Sequence, residues 1–213
     1  MFTDGVRRWI TSGSLVLFPV LLFFAFLTSP SDQNHEPHIF RAQAAKVEIS
    51  AVFFHWSVIV MAFAIIGLAW AARTRALTQT GAVLGLVGAV SGGGLFIADF
   101  YDLATAQNLT DEQAVAVTQA VDGYAGYVYG FVFPSFLLHI GVLCLLIALV
   151  RDKAVPVWVP VLMLAGVFFP FFTVEQEPVV QSAGPLLQLV ACGMVAVRLL
   201  RAPRVQVPQH ALA

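Results

Sequence analysis

Charge is what this chain has least of. Of its 213 residues, 11% are charged and 59% hydrophobic, whereas a soluble domain carries about 25% charged residues. A water-surrounded core has no room for so much apolar surface, so the solvent it calls for is largely lipid. The 11 Lys and Arg form no large cluster, which argues against a nucleic-acid surface. There are two cysteines, Cys144 and Cys192, each inside an apolar run and neither in a C-x-x-C pair. They read as buried, inert thiols. The sequence also lacks G-x-S-x-G, H-E-x-x-H and a P-loop, which sets aside the hydrolase, zincin and nucleotide chemistries that depend on them. No cofactor and no metal are expected.

What is present is apolar and divided into six runs, at about 10–28, 48–71, 78–101, 124–150, 155–174 and 181–200. Each has about 20 residues, enough at 1.5 Å per residue to cross a hydrocarbon layer of about 30 Å. The expected fold is all-α, a polytopic membrane helical bundle of six transmembrane helices. It forms one integral membrane domain over 1–213, multi-pass in the cell membrane. With six spans, Arg7, Arg8, Arg73, Arg75, Arg151, Lys153, Arg198, Arg201 and Arg204 all fall on one side, and only Arg41 and Lys46 on the other. The positive-inside rule then puts both termini in the cytoplasm. The first run also has the basic start and short apolar core of a signal peptide. No clear A-x-A-like site follows it, and it reads as a span.

Between the runs, the 29–47 loop is polar and outside, and the 102–123 loop holds "NLTDEQAVAVTQAVDGY". Thr110 and Gln113 match a capping box, and the residues after them suit a short amphipathic helix, either a lid or a connector on the headgroups. Gly81, Gly85, Gly88 and Gly92 lie nearly on one ridge of the third run, a packing signal in lipid. The Gly92–Gly94 run is expected to loosen the helix just before Asp99.

The acids segregate. Glu48, Asp99, Asp102, Asp111, Glu112, Asp122, Glu175 and Glu177 fall at or beyond the outer ends of the runs, while Asp4 and Asp152 lie inside. Carboxylates are disfavoured in hydrocarbon and tolerated at its edge. Glu48 and His55 share a face of the second run, flanked by Trp56, and Asp99 and Asp102 share a face of the third. Asp122, Gly126, Tyr129 and Phe133 form a stripe on the fourth, Tyr101, Tyr124 and Tyr127 lie near the same depth, and "FFPFFTVEQEP" brings Phe172 and Glu175 to the outer end of the fifth. If these faces converge, they form a cup with acids and phenols at the rim and rings beneath. The candidate catalytic residues are Glu48, Asp99 and His55. The candidate substrate-binding residues are Trp56, Tyr101, Asp102, Tyr129, Phe133, Phe172 and Glu175. Plainer readings stand beside these. Glu48 suits a helix dipole, the tyrosines suit an aromatic belt, and Asp102, Asp122 and Glu177 suit solvated helix ends. His139 sits about eight residues, roughly 12 Å, deeper than His55, a mismatch halved if the fourth run starts at 130, and two histidines alone are weak evidence for shared haem ligation.

A carboxylic acid in an apolar cup stays protonated and can donate its proton, and aromatic faces stabilise a cation by about 0.5–2 kcal/mol each. The short first span, the histidine-containing outer loop, the acidic outer loop and the P-x-W-x-P of Pro156, Trp158 and Pro160 resemble small six-span membrane proteins common in actinobacteria. In size and in its acids within a helical bundle, the chain is also similar to the membrane-bound terpene cyclases of meroterpenoid pathways. That resemblance implies an acidic pair that starts a carbocation cascade, to which Glu48 and Asp99 correspond by type and depth. The expected function is an integral membrane terpene cyclase acting on an apolar prenylated small molecule, an isoprenoid olefin or epoxide, with membrane lipid as surroundings. The alternative is a non-enzymatic membrane protein (sensor, partner subunit or immunity factor), and after it a small-molecule or proton transporter.

Overall fold

Long runs of Leu, Val, Ile, Phe and Ala leave the backbone one open-chain way to satisfy its N–H and C=O groups in lipid, the helix. The computed structural model describes residues 4–30 and 36–201, and among them contains helices and no strand. Arg204 and Asp32 lie outside the described residues. The helices are α1 (Asp4–Thr28), α2 (Pro37–Ala42), α3 (Ala44–Ala71), α4 (Arg75–Leu95), α5 (Ala98–Asn108) and α6 (Asp111–Asp122). They are followed by α7 (Ala125–Arg151, with a π-helical turn at Val128–Val132), α8 (Trp158–Phe172) and α9 (Pro178–Arg201).

Five stretches are long and apolar enough to span a bilayer: α1, α3, α4 with α5, α7 and α9. The run expected at 155–174 is a shorter apolar helix, the 15 residues of α8. The third run does not continue as one straight helix. After Gly92, Gly93 and Gly94 the α-helix stops at Leu95, and it resumes at Ala98 as α5. Asp99 therefore stands in the first turn of a separate helix that reaches Asn108, a stretch partly read as loop from sequence.

Small residues set the packing. On α4, a Cβ at Gly88 would lie 1.9 Å from the Leu138 nitrogen. One at Gly141 of α7 would lie 2.2 Å from the Gly85 nitrogen. Gly81 meets Leu145 further along, so the partners run in opposite directions and the pair is antiparallel. The same logic pairs α1 with α3 through Thr11 against Gly67, and α8 with α9 through Gly166 against Gly184. Ser12 Oγ of α1 donates to the Ala196 carbonyl of α9 at 3.2 Å. Neighbours thus follow the order α8, α9, α1, α3, α4, α7 around one core, which includes Leu15, Met61, Ile65, Leu145, Val159 and Val195.

Antiparallel packing gathers Arg7, Arg8, Arg73, Arg75, Arg151, Lys153, Arg198 and Arg201 at one end of the bundle. There the Arg7 guanidinium sits 5.6 Å from the centre of the Trp70 ring. Asp152 accepts hydrogen bonds from the Arg73 N–H and the Thr74 hydroxyl, tying two turns together. The turn after α7 is closed by Lys153 in the left-handed region, φ 58°, with its N–H on the Val150 carbonyl.

The opposite end carries a cap of three short helices, α2, α5 and α6, around Phe40, Val47, Leu103 and Ala106. Arg41 holds it together. Its Nε donates to the Ala106 carbonyl at 2.7 Å, and Nη2 donates to the Leu109 carbonyl at 3.3 Å and to Asp111 Oδ1 at 2.8 Å. The expected capping box is present. Gln113 N–H donates to Thr110 Oγ1, and the Thr110 N–H donates back to Gln113 Oε1, fixing where α6 begins.

Candidate functional site

Between the cap and the bundle lies a cavity of about 520 Å³. The two helices of the cap that follow the break supply its acidic side. On α5, Asp99 and Asp102 are three residues apart and both line it, while Leu103 and Ala106 turn into the small core of the cap. On α6, Ala114, Thr118 and Asp122 recur every four residues. Ala114 is buried, and Thr118 and Asp122 line the cavity. Thr118 Oγ1 donates to Asp102 Oδ1 at 3.4 Å, which joins the two acidic helices.

The bundle supplies an aromatic side. Phe54 of α3 and Phe96, in the break after α4, stack with ring centres 4.9 Å apart and planes 5° from parallel. Phe26 of α1 meets Phe54 edge-on at 5.1 Å. Phe40 of the cap and the phenol of Tyr127 add to the aromatic lining. Tyr127 immediately precedes the π-helical turn, and Val132, the last residue of that turn, also lines the cavity. Such turns recur at functional sites, because the extra residue re-aims the side chains around it. The hydroxyls of Ser29 and Ser50, on the same wall, already donate to the Ala25 and Val47 carbonyls.

The site residues expected from sequence divide sharply. Asp99 and Asp102 come together on the cavity. Glu48 does not: Val47 and Ser50 of α3 face the cavity and Glu48 is exposed, so the two acids matched to a cyclase pair do not share this hollow. His55 is half-buried a turn or two further along, and its Nδ1 lies 3.1 Å from the Gly93 carbonyl. A carbonyl only accepts, so Nδ1 carries the proton and pins α3 to the glycine run before the break. Trp56, Tyr101, Tyr129, Phe133 and Phe172 are exposed on the outer surface, Phe172 at 85%, and Glu175 is exposed in the turn after α8. Tyr129 and Phe133 stack on each other there, 5.5 Å apart. None of these six residues lines the cavity.

In their place stand Phe54, Phe96, Tyr127, Thr118 and Asp122. The last was read from sequence as a solvated helix end, yet its spacing from Ala114 and Thr118 carried the signal. Among the described residues, no three His, Cys, Asp or Glu side chains lie close enough to hold a metal ion. Three carboxyls instead share one cavity with aromatic rings, an arrangement suited to a cation with an organic body. Comparison with family models, with curated proteins and with solved structures finds no match.

Proposed function

We propose that the chain is a multi-pass protein of the cell membrane, with both termini in the cytoplasm, whose capped cavity binds a small apolar molecule bearing positive charge. The orientation rests on the gathering of eight basic side chains at one end of the bundle, the end where α1 begins and α9 ends. The binding reading rests on one observation: Asp99, Asp102 and Asp122 line the same cavity as the stacked rings of Phe54 and Phe96. Carboxylates supply the counter-charge, ring faces add about 0.5–2 kcal/mol each, and the remaining apolar lining takes the hydrocarbon body. In this form the protein is a receptor or sensor for a cationic amphiphile at the outer membrane face.

The test is binding of a fluorescent long-chain alkyltrimethylammonium to the protein in nanodiscs, against an uncharged alcohol of the same chain. The cationic probe should bind more tightly, and Asp99→Asn with Asp102→Asn should remove that preference. Equal binding of the two probes to the wild-type protein overturns the reading. For orientation, cysteines placed at Asp4 and at Asn108 should react with an impermeant maleimide in intact cells only at position 108.

A second reading, acid-initiated cyclisation of an isoprenoid olefin or epoxide as in a membrane terpene cyclase, is favoured by Asp99 and the ring stack lying on the same hollow. Here the positive charge develops during the reaction. A proton from Asp99 opens the epoxide C–O bond or adds to the olefin π bond, the rings stabilise the cation, and the carboxylate or a neighbouring base removes a proton at the end. With Glu48 turned away, the donor in this reading is Asp99 or Asp102. Product formation from a prenylated epoxide, lost in Asp99→Asn, separates it from binding alone.

A further inference from the structure

At the basic end, on the outer flank of α1 and α3, a second hollow of about 450 Å³ is lined by Arg7, Ile10, Thr11, Phe63, Ile66, Gly67 and Trp70. Its origin is local. Gly67 has no side chain and Thr11 packs into the space, so a Cβ there would lie 1.8 Å from Thr11 Oγ1. The two backbones are drawn together at this point. Ile10, Phe63, Ile66 and Trp70 project outward around that contact, all exposed. The furrow is apolar along its length and cationic at its mouth.

Arg7 occupies the mouth. Its guanidinium lies over Trp70 at 5.6 Å, which holds the side chain along the furrow through a cation–π contact. The Thr11 hydroxyl donates to the Arg7 carbonyl at 2.8 Å and is not turned to a ligand. Among the described residues, no carboxylate pairs with the Arg7 guanidinium. The eight cations of this end face two described carboxylates, Asp4 and Asp152, and Asp152 is engaged by Arg73 and Thr74.

A planar cation at a membrane interface, above an apolar groove about two helical turns long, matches a phosphate joined to the first part of an acyl chain. We infer that this furrow is a binding site for an anionic phospholipid of the basic-end leaflet, with its phosphate on Arg7 and one acyl chain along Phe63 and Ile66. The inference rests on the helices spanning a bilayer and is independent of the capped cavity. Guanidinium geometry favours phosphate, and an anionic headgroup adds the attraction of the whole basic end.

The experiment is native mass spectrometry of the purified full chain, titrated with palmitoyl-oleoyl phosphatidylglycerol or with phosphatidylcholine of the same chains. Wild-type protein should retain phosphatidylglycerol preferentially, and Arg7→Gln should lower that retention about fivefold, the weight of one basic group near an anionic surface. Arg75→Gln, at the same end but off the furrow, should retain as the wild type does. Ile66→Trp, which fills an exposed position of the groove, should lower retention of both lipids. Equal retention of the two lipids by the wild type overturns the assignment. So does an equal loss in Arg7→Gln and Arg75→Gln, or full retention in Ile66→Trp.

Discussion

The carboxylate of Asp152 accepts the Thr74 hydroxyl at 2.7 Å, across 78 positions of sequence, and accepts the Arg73 N–H with its other oxygen. Partial burial pushes the Asp152 carboxyl toward its neutral form. The Arg73 N–H, the Thr74 hydroxyl and N–H, and the Arg73 charge outweigh this and hold it below the ordinary carboxylate range. A depressed value in the folded state means the contact contributes fully above the unfolded carboxylate range, about 4. The contribution is lost as pH falls through the lower folded value. Asp152→Asn should therefore reduce stability by about 1 kcal/mol near neutrality, the scale of a charged hydrogen bond at a surface. Its melting curve should converge with that of the wild type in acid. Equal melting temperatures at pH 7 would remove this role.

Gly88→Ala and Gly141→Ala should each destabilise the bundle severely, because the added methyl meets backbone atoms of the facing helix. Backbone cannot move aside without separating α4 from α7, so loss of monodisperse protein or a melting temperature lowered by about 10 °C is expected. Gly13→Ala and Gly193→Ala have nothing within 4 Å and should be neutral or stabilising by up to about 1 kcal/mol, the gain in helix propensity. Similar melting curves for all four variants would contradict the packing register.

Arg41 joins the end of α5 to the start of α6 through three hydrogen bonds. Arg41→Ala should loosen the cap while leaving the membrane bundle intact. Limited proteolysis should then cut between residues 105 and 123 several times faster, with helix content by circular dichroism nearly unchanged. Arg41→Lys should not restore resistance, since one ammonium cannot reproduce the fork that spans two carbonyls and a carboxylate.

The aromatic stack gives a separate handle on the cavity. Phe96→Leu keeps an apolar side chain in the break but removes the ring over Phe54. Binding of the alkyltrimethylammonium probe should weaken about threefold to tenfold, and binding of the uncharged alcohol should change little. Loss of both in equal measure would indicate a collapsed pocket instead of a lost cation–π contact.

Much of the fold is legible in the sequence because lipid removes alternatives. The helices follow from apolar length, close packing of α4 (though not its partner) from the glycine ridge, and the start of α6 from the Thr110 capping box. The site is less legible. Helix α3 is apolar all round, so its periodicity carries no direction, and nothing local says that Val47 and Ser50, instead of Glu48, turn toward the cavity. The break at Phe96 and Ile97 also redirects everything after it. Depth counted along an unbroken span put Tyr101 level with Tyr124 and Tyr127 at one rim, whereas α5 packs on α2 and α3 and leaves Tyr101 exposed. Tyr129 and Phe133 look outward because the π-helical turn just before Phe133 shifts the angular register of α7 at its outer end.

The brevity of α8 has a mechanical consequence for whatever surrounds the protein. Fifteen residues rise about 22 Å, several ångströms short of a hydrocarbon thickness of about 30 Å. If α8 crosses beside the other helices, acyl chains along that flank, where Val161, Phe168 and Phe171 point outward, would have to shorten or splay to meet it. The bilayer would then be pinched on that side of the molecule, and the protein would sit in it as a wedge. Thin, disordered patches should draw this flank toward them.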